Sequence, residues 1–200
     1  MGLNSAYSVG QTPIDANESN GLKIKTITTQ SELNEFEQLN IERALHWTLN
    51  KRFRADELLS VKFILLLHKK MYEDVWKWAG KFRTSEKNLG IPFPLIGIEL
   101  RKLMDDTLFW INNQSFPSDE IAIRFKHRLV SIHCFPNGNG RHSRIMADLM
   151  VEKLFHAPAF TWGHSHSNLA SNDAVRYAYL TALKEADRNN YKPLIEFARS

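Results

Sequence analysis

Cysteine is nearly absent: Cys134 stands alone in 200 residues. That excludes an internal disulfide framework and suits a reducing, cytoplasmic setting. No run of about 18 apolar residues occurs and no secretory leader is recognisable, so neither a membrane span nor export is expected. Repeats and low-complexity tracts are also missing. Basic residues exceed acidic ones only by 26 to 22, and no basic cluster is interleaved with aromatics as in a nucleic-acid groove. Solubility is the plain reading of that charge, and specific nucleic-acid binding is not expected.

Core material is plentiful, since 43% of the residues are hydrophobic. That suffices for one domain of this length. Helix formers are dense and two-residue alternation is rare, which predicts an all-α fold. Residues 1–29 read as an arm rich in Gly, Ser, Asn and Pro, with a short extended piece near Lys23, and residues 30–200 as the folded domain. A leading helix over 30–50 is expected to start at Thr29 to Ser31, with Phe36, Ile41, Ala44, Leu45 and Trp47 facing the core. Asp56 is the expected cap of a buried helix reaching Trp78, in which His68 reads as a hydrogen-bonded core residue. Further helices are predicted from Gly97 to Gln114, from Ser118 along Ile121, Phe125, Leu129 and Ile132, beyond residue 138 through Phe155, and over Asn172 to Asn189. Pro193 opens a last turn. Residues 81–92 mix polar and apolar types between Gly and Pro, the pattern of a β-hairpin or an ordered loop. His142, His156, His164 and His166 have no carboxylate or cysteine at ligand spacing, so they predict no metal centre.

Chemistry concentrates in one stretch, His133-Cys134-Phe135-Pro136-Asn137-Gly138-Asn139-Gly140-Arg141-His142-Ser143-Arg144. Pro136 and the Asn-Gly alternation force a tight loop in which positive φ is cheap, and such loops aim backbone N–H groups inward as a nest for phosphate oxygens. A helix opens directly after it, so the positive end of its dipole points the same way. Arg141 and Arg144 stand three apart, which predicts two guanidinium forks on one face for one polyphosphate. His133 precedes the loop, where a neutral imidazole can take a proton from a hydroxyl. Asn139 either adds an amide to a phosphate or caps the helix. Together these residues point to phosphoryl or nucleotidyl transfer.

The stretch resembles the signature of the Fic family, His-Pro-Phe-x-Asp/Glu-Gly-Asn-Gly/Lys-Arg-x-x-Arg. His133, Phe135, Gly138, Asn139, Gly140, Arg141 and Arg144 match it. Cys134 replaces the proline, and Asn137 replaces the acidic residue that holds Mg²⁺ in the family; an amide oxygen is the weaker ligand for a hard cation. The resemblance implies a Fic-like helical bundle with a short β-hairpin flap. It implies transfer of AMP from ATP, with Mg²⁺, to a Ser, Thr or Tyr hydroxyl of a target protein, with pyrophosphate leaving. In that scheme His133 is the general base and Phe135 a buried anchor. The 138–140 backbone and Asn139 hold the α- and β-phosphates, Arg141 the β-phosphate and Arg144 the γ-phosphate. Thr84, Ser85, Glu86, Lys87, Asn88, Leu89 and Gly90 are similar to the flap that pairs with the target backbone. Trp162 is a candidate wall of the adenine pocket. Many Fic proteins carry an inhibitory helix, Ser/Thr-x-x-x-Glu-Gly/Asn, whose glutamate pairs with the second arginine; Ser31 and Glu35 fit its first part, while Phe36 stands where a small residue belongs. A separate antitoxin is the other expected restraint. Two alternatives stand beside AMP transfer: movement of another phosphate-containing group, of kinase or phosphocholine type, and a nucleotide-binding toxin or scaffold with weak catalysis.

Overall fold

In the computed structural model, which describes residues 19–163 and 173–200, the chain enters its first long helix at a capping box. The Thr29 hydroxyl accepts from the Glu32 N–H at 3.2 Å, and Glu32 returns a carboxylate oxygen to the Thr29 N–H at 3.0 Å. Two donors that the helix cannot satisfy are thus paired. Helix α1 (Gln30–Leu49) buries Leu33, Glu37, Asn40, Ile41, Ala44 and Thr48. The expected stripe is only partly right, because Phe36 is exposed. Polar residues take its place: Asn40 pairs with Asp74 through both side chain and backbone, at 3.2 and 3.0 Å.

The helix expected from Asp56 to Trp78 is divided. A single turn, α2 (Ala55–Leu58), precedes α3 (Val61–Tyr72), whose cap is Ser60, accepting from the Phe63 N–H at 3.1 Å. Beyond Tyr72 the backbone turns outward, since Val75 O accepts from Lys23 N–H at 2.8 Å and Gly21 O from Lys77 N–H at 2.9 Å. These bonds, with an antiparallel bridge between Leu22 and Trp76, dock the end of the expected arm on the body. Residues 1–18 of that arm, Asn172, His164 and His166 lie outside the described residues.

A 3₁₀ turn (Phe93–Leu95) leads into α4 (Ile96–Asn112), with Leu100, Leu103 and Met104 buried. Helix α5 (Ser118–Ile132) buries Ile121, Phe125, Leu129 and Ile132, the face read from their spacing. Helix α6 (Asn139–Lys153) is buried along most of its length and packs beside α5. Helices α7 (Asp173–Asp187) and α8 (Lys192–Arg199) pair with each other, and Arg199 binds Asp119 with two nitrogens, tying the last helix to the start of α5. The described chain is all-α, as predicted. Among its described residues no helix is long and apolar enough to cross a membrane.

The short β-hairpin expected in residues 81–92 is not formed: no strand occurs there. A buried arginine organises the segment instead. The Arg83 guanidinium donates to the carbonyls of His133 at 2.7 Å, Ser85 at 2.9 Å and Ile91, while the Arg83 N–H donates to Cys134 O at 2.9 Å. One side chain therefore satisfies carbonyls that a ladder would have used.

Candidate active site

His133 ends α5 in the left-handed region, φ 56° and ψ 61°. A non-glycine residue held there costs free energy that the surroundings must supply. They do so from two sides. Arg83 clamps the His133 carbonyl. Gly90, at φ 105°, lies so close that a Cβ on it would stand 2.6 Å from the His133 Cβ. Only glycine fits that approach, so the 84–90 segment lies directly against the histidine.

The loop itself is stapled internally. The Asn139 side chain accepts from Phe135 N–H at 2.9 Å and donates to Phe135 O at 2.8 Å. Its oxygen and one of its amide N–H groups are thus engaged inside the loop. Phe135 is wholly buried and stacks on His68 at 3.6 Å, so its anchoring place is as expected. The His68 Nδ1 accepts from Gly80 N–H at 3.0 Å, so its proton lies on Nε2, which donates to Asn137 O at 3.1 Å. Burial first, then His142, holds the His68 imidazole well below its ordinary value and therefore neutral. Gly138, at φ 79°, sits on Tyr72: a Cβ there would meet the ring at 2.6 Å.

Helix α6 makes its first internal bond from His142 N–H to Gly138 O, at 2.9 Å. The N–H groups of Asn139, Gly140 and Arg141 precede that ladder and point from the positive end of the helix. The Gly138 N–H does not join them, because the Asn137 Oδ1 takes it at 2.5 Å. That bond also bears on the metal. Asn137 offers a neutral oxygen already engaged, and among the described residues no group of three His, Cys, Asp or Glu side chains is placed to hold an ion. A protein-held Mg²⁺ does not fit these residues.

The two arginines are held by different partners. Arg141 pairs with Glu37 of α1 at 2.7 Å, and that carboxylate also accepts from Trp76 Nε1 at 2.6 Å. Arg144 is buried and turns to Tyr179 of α7, 5.6 Å from its ring centroid. The glutamate assignment changes accordingly. Glu35 is exposed and its hydrogen bond comes from Ser31 at 3.5 Å, whereas Glu37, half a turn further along α1, reaches a signature arginine, the first and not the second. Trp162 is buried, with its indole N–H on Asp148 at 2.9 Å.

His133 itself is 6% exposed. Burial, then the Arg83 and Lys87 charges, brings its imidazole down to about 4, against a backbone hydrogen bond to Val130 that favours the protonated ring. At neutral pH its imidazole is therefore uncharged, with one nitrogen on the Val130 carbonyl. Arg83, Glu37 and Tyr72 were not legible as site residues, since each reaches the loop only through tertiary contact.

Residues 58–151 match the model of the Fic/DOC family. The "Protein adenylyltransferase Fic" of Aedes aegypti is 24% identical over 165 residues, spanning 80% of this chain but 31% of that protein. The chain thus spans about a third of the length of the curated relatives it matches. Among solved structures, the N-terminal FIC domain of Bep8 from Bartonella sp. 1-1C superposes with a TM-score of 0.67 at 16% identity, over 88% of this chain and 89% of that one. The BepC protein from Bartonella tribocorum, with bound AMPPNP, gives 0.62 at 18% identity, over 92% and 97%. The chain therefore carries a Fic/DOC-family domain, matched over residues 58–151, and its helices adopt the Fic fold.

Proposed function

We propose that this protein transfers AMP from ATP to a hydroxyl side chain of a target protein. The observation that carries the reading is the pairing of a neutral, buried His133 with the open N–H groups at the start of α6. The relatives' name, adenylyltransferase, and the AMPPNP in BepC support it. The target oxygen attacks the α-phosphorus, its proton passes to His133, the bond from that phosphorus to the bridging oxygen breaks, and pyrophosphate leaves with the electron pair. The N–H groups of Asn139, Gly140 and Arg141 receive phosphate oxygens, with Arg141 on the β-phosphate and Arg144 on the γ-phosphate. Any Mg²⁺ is carried by the phosphates, not by Asn137. Thr84–Gly90 is the docking segment, because Gly90 already lies against the base. Glu37 acts as an internal brake by holding Arg141, the role first considered for Glu35. A single cysteine, Cys134, with no disulfide partner in the chain suits a cytoplasmic setting.

ATP labelled at the α- or γ-phosphate separates the outcomes in the presence of host lysate. Protein label from α alone supports AMP transfer; label from γ overturns it in favour of kinase action. Tight ATP binding with no label from either supports the nucleotide-binding scaffold instead.

A further inference from the structure

Lys126 on α5 lies seven residues before His133 and is wholly buried. Its ammonium donates to the Tyr179 hydroxyl and stands 4.5 Å from that ring's centroid and 5.9 Å from that of Trp162. Tyr179 also faces Arg144. Two cations thus meet at one phenol oxygen, and burial, which disfavours a phenolate, is outweighed there by Lys126 and then Arg144. The nearby carboxylate offsets them only in part. Asp148 accepts from Trp162 Nε1 and from Phe160 N–H at 3.3 Å, and burial raises its carboxyl to about 7.

An alkyl side chain would fill the space of Lys126 without the cost of desolvating an ammonium, so packing alone does not account for it. Arg144 supplies the reason. Its Nε is buried and has no hydrogen-bond partner, and its Nη1 lies 3.9 Å from where a Cβ on Gly140 would stand, in the first turn of α6. The guanidinium therefore lies between Tyr179 and the first turn of α6.

We propose that Lys126 is a positioning residue for Arg144: through the Tyr179 oxygen it holds that guanidinium ready for the terminal phosphate and so sets a preference for ATP over ADP. This rests on the ATP reading of the site. Lys126 supplies both a fixed acceptor orientation on Tyr179 and a second positive charge behind Arg144, and a preorganised cation loses less on meeting its anion.

The test is nucleotide titration of the full chain, ATP against ADP, with melting curves as the fold control. Lys126→Met is expected to lower the ATP/ADP affinity ratio by about three- to tenfold, the effect of one charge-assisted contact, while ADP affinity stays within about twofold. Lys126→Arg should restore most of the ratio. Tyr179→Phe, which removes the shared oxygen and little volume, should give the same loss and carries the test if Lys126→Met fails to fold. An unchanged ratio in a folded variant, or equal loss for both nucleotides, overturns the proposal alone. Wild-type protein that binds no ATP overturns the nucleotide reading and this one together.

Discussion

Gly138 and His133 carry the backbone demands of the site. An alanine at 138 meets both a left-handed φ and the face of Tyr72, so Gly138→Ala should lower stability by about 2 kcal/mol or more, measured by denaturant unfolding. Equal stability would mean that the loop does not rest on Tyr72. Burial of imidazoles sets the acid response. His133 falls to about 4 and His142 to about 3 from an ordinary 6.5, both chiefly through burial. Below 6.5 the unfolded chain binds protons that the folded one refuses until those lower values, so both residues destabilise the fold as pH drops from 6.5 toward 4. Asp148, raised to about 7 from 3.8, works oppositely, favouring the fold at low pH and losing that contribution as pH rises through 7. Unfolding midpoints should therefore fall on acidification, and more steeply in Asp148→Asn; a flat profile in both proteins would contradict these assignments.

Helix α1 reaches the site through one carboxylate. Glu37→Gln keeps an acceptor for Trp76 Nε1 but releases the Arg141 charge, so ATP affinity should rise several-fold by titration. Glu35→Gly should leave it unchanged, because that side chain faces solvent. The opposite pattern would return the inhibitory role to Glu35. Both the start of α1 and the register of α5 were legible in the sequence, since capping and three-four spacing are local properties. The break at Ser60 and the end of α3 at Tyr72 were not. The break comes from a local cap, the Ser60 hydroxyl on the Phe63 N–H, masked by the apolar residues on both sides of it. The chain beyond Tyr72 is held by bonds from residues 21–23 to residues 75–77, partners of which periodicity carries no trace. Likewise the 81–92 segment reads as a hairpin by composition, yet Arg83 redirects its carbonyl pairing.

Across the whole molecule, the loop from 133 to 144 was recognisable because its chemistry is written in consecutive residues. What closes around it was not, because Arg141 finds Glu37 from 104 positions away in sequence (141 less 37) and His68 meets Asn137 from 69. The helical body holds α5 and α6 against each other, so that His133 at the end of one is joined by a short loop to the N-terminal end of the other. Intact-protein mass spectrometry of host lysate incubated with ATP, Mg²⁺ and this protein tests that arrangement most directly. A target protein heavier by one AMP, absent with His133→Ala although that variant still binds ATP, is the predicted result; the same mass gain with His133→Ala would contradict the account.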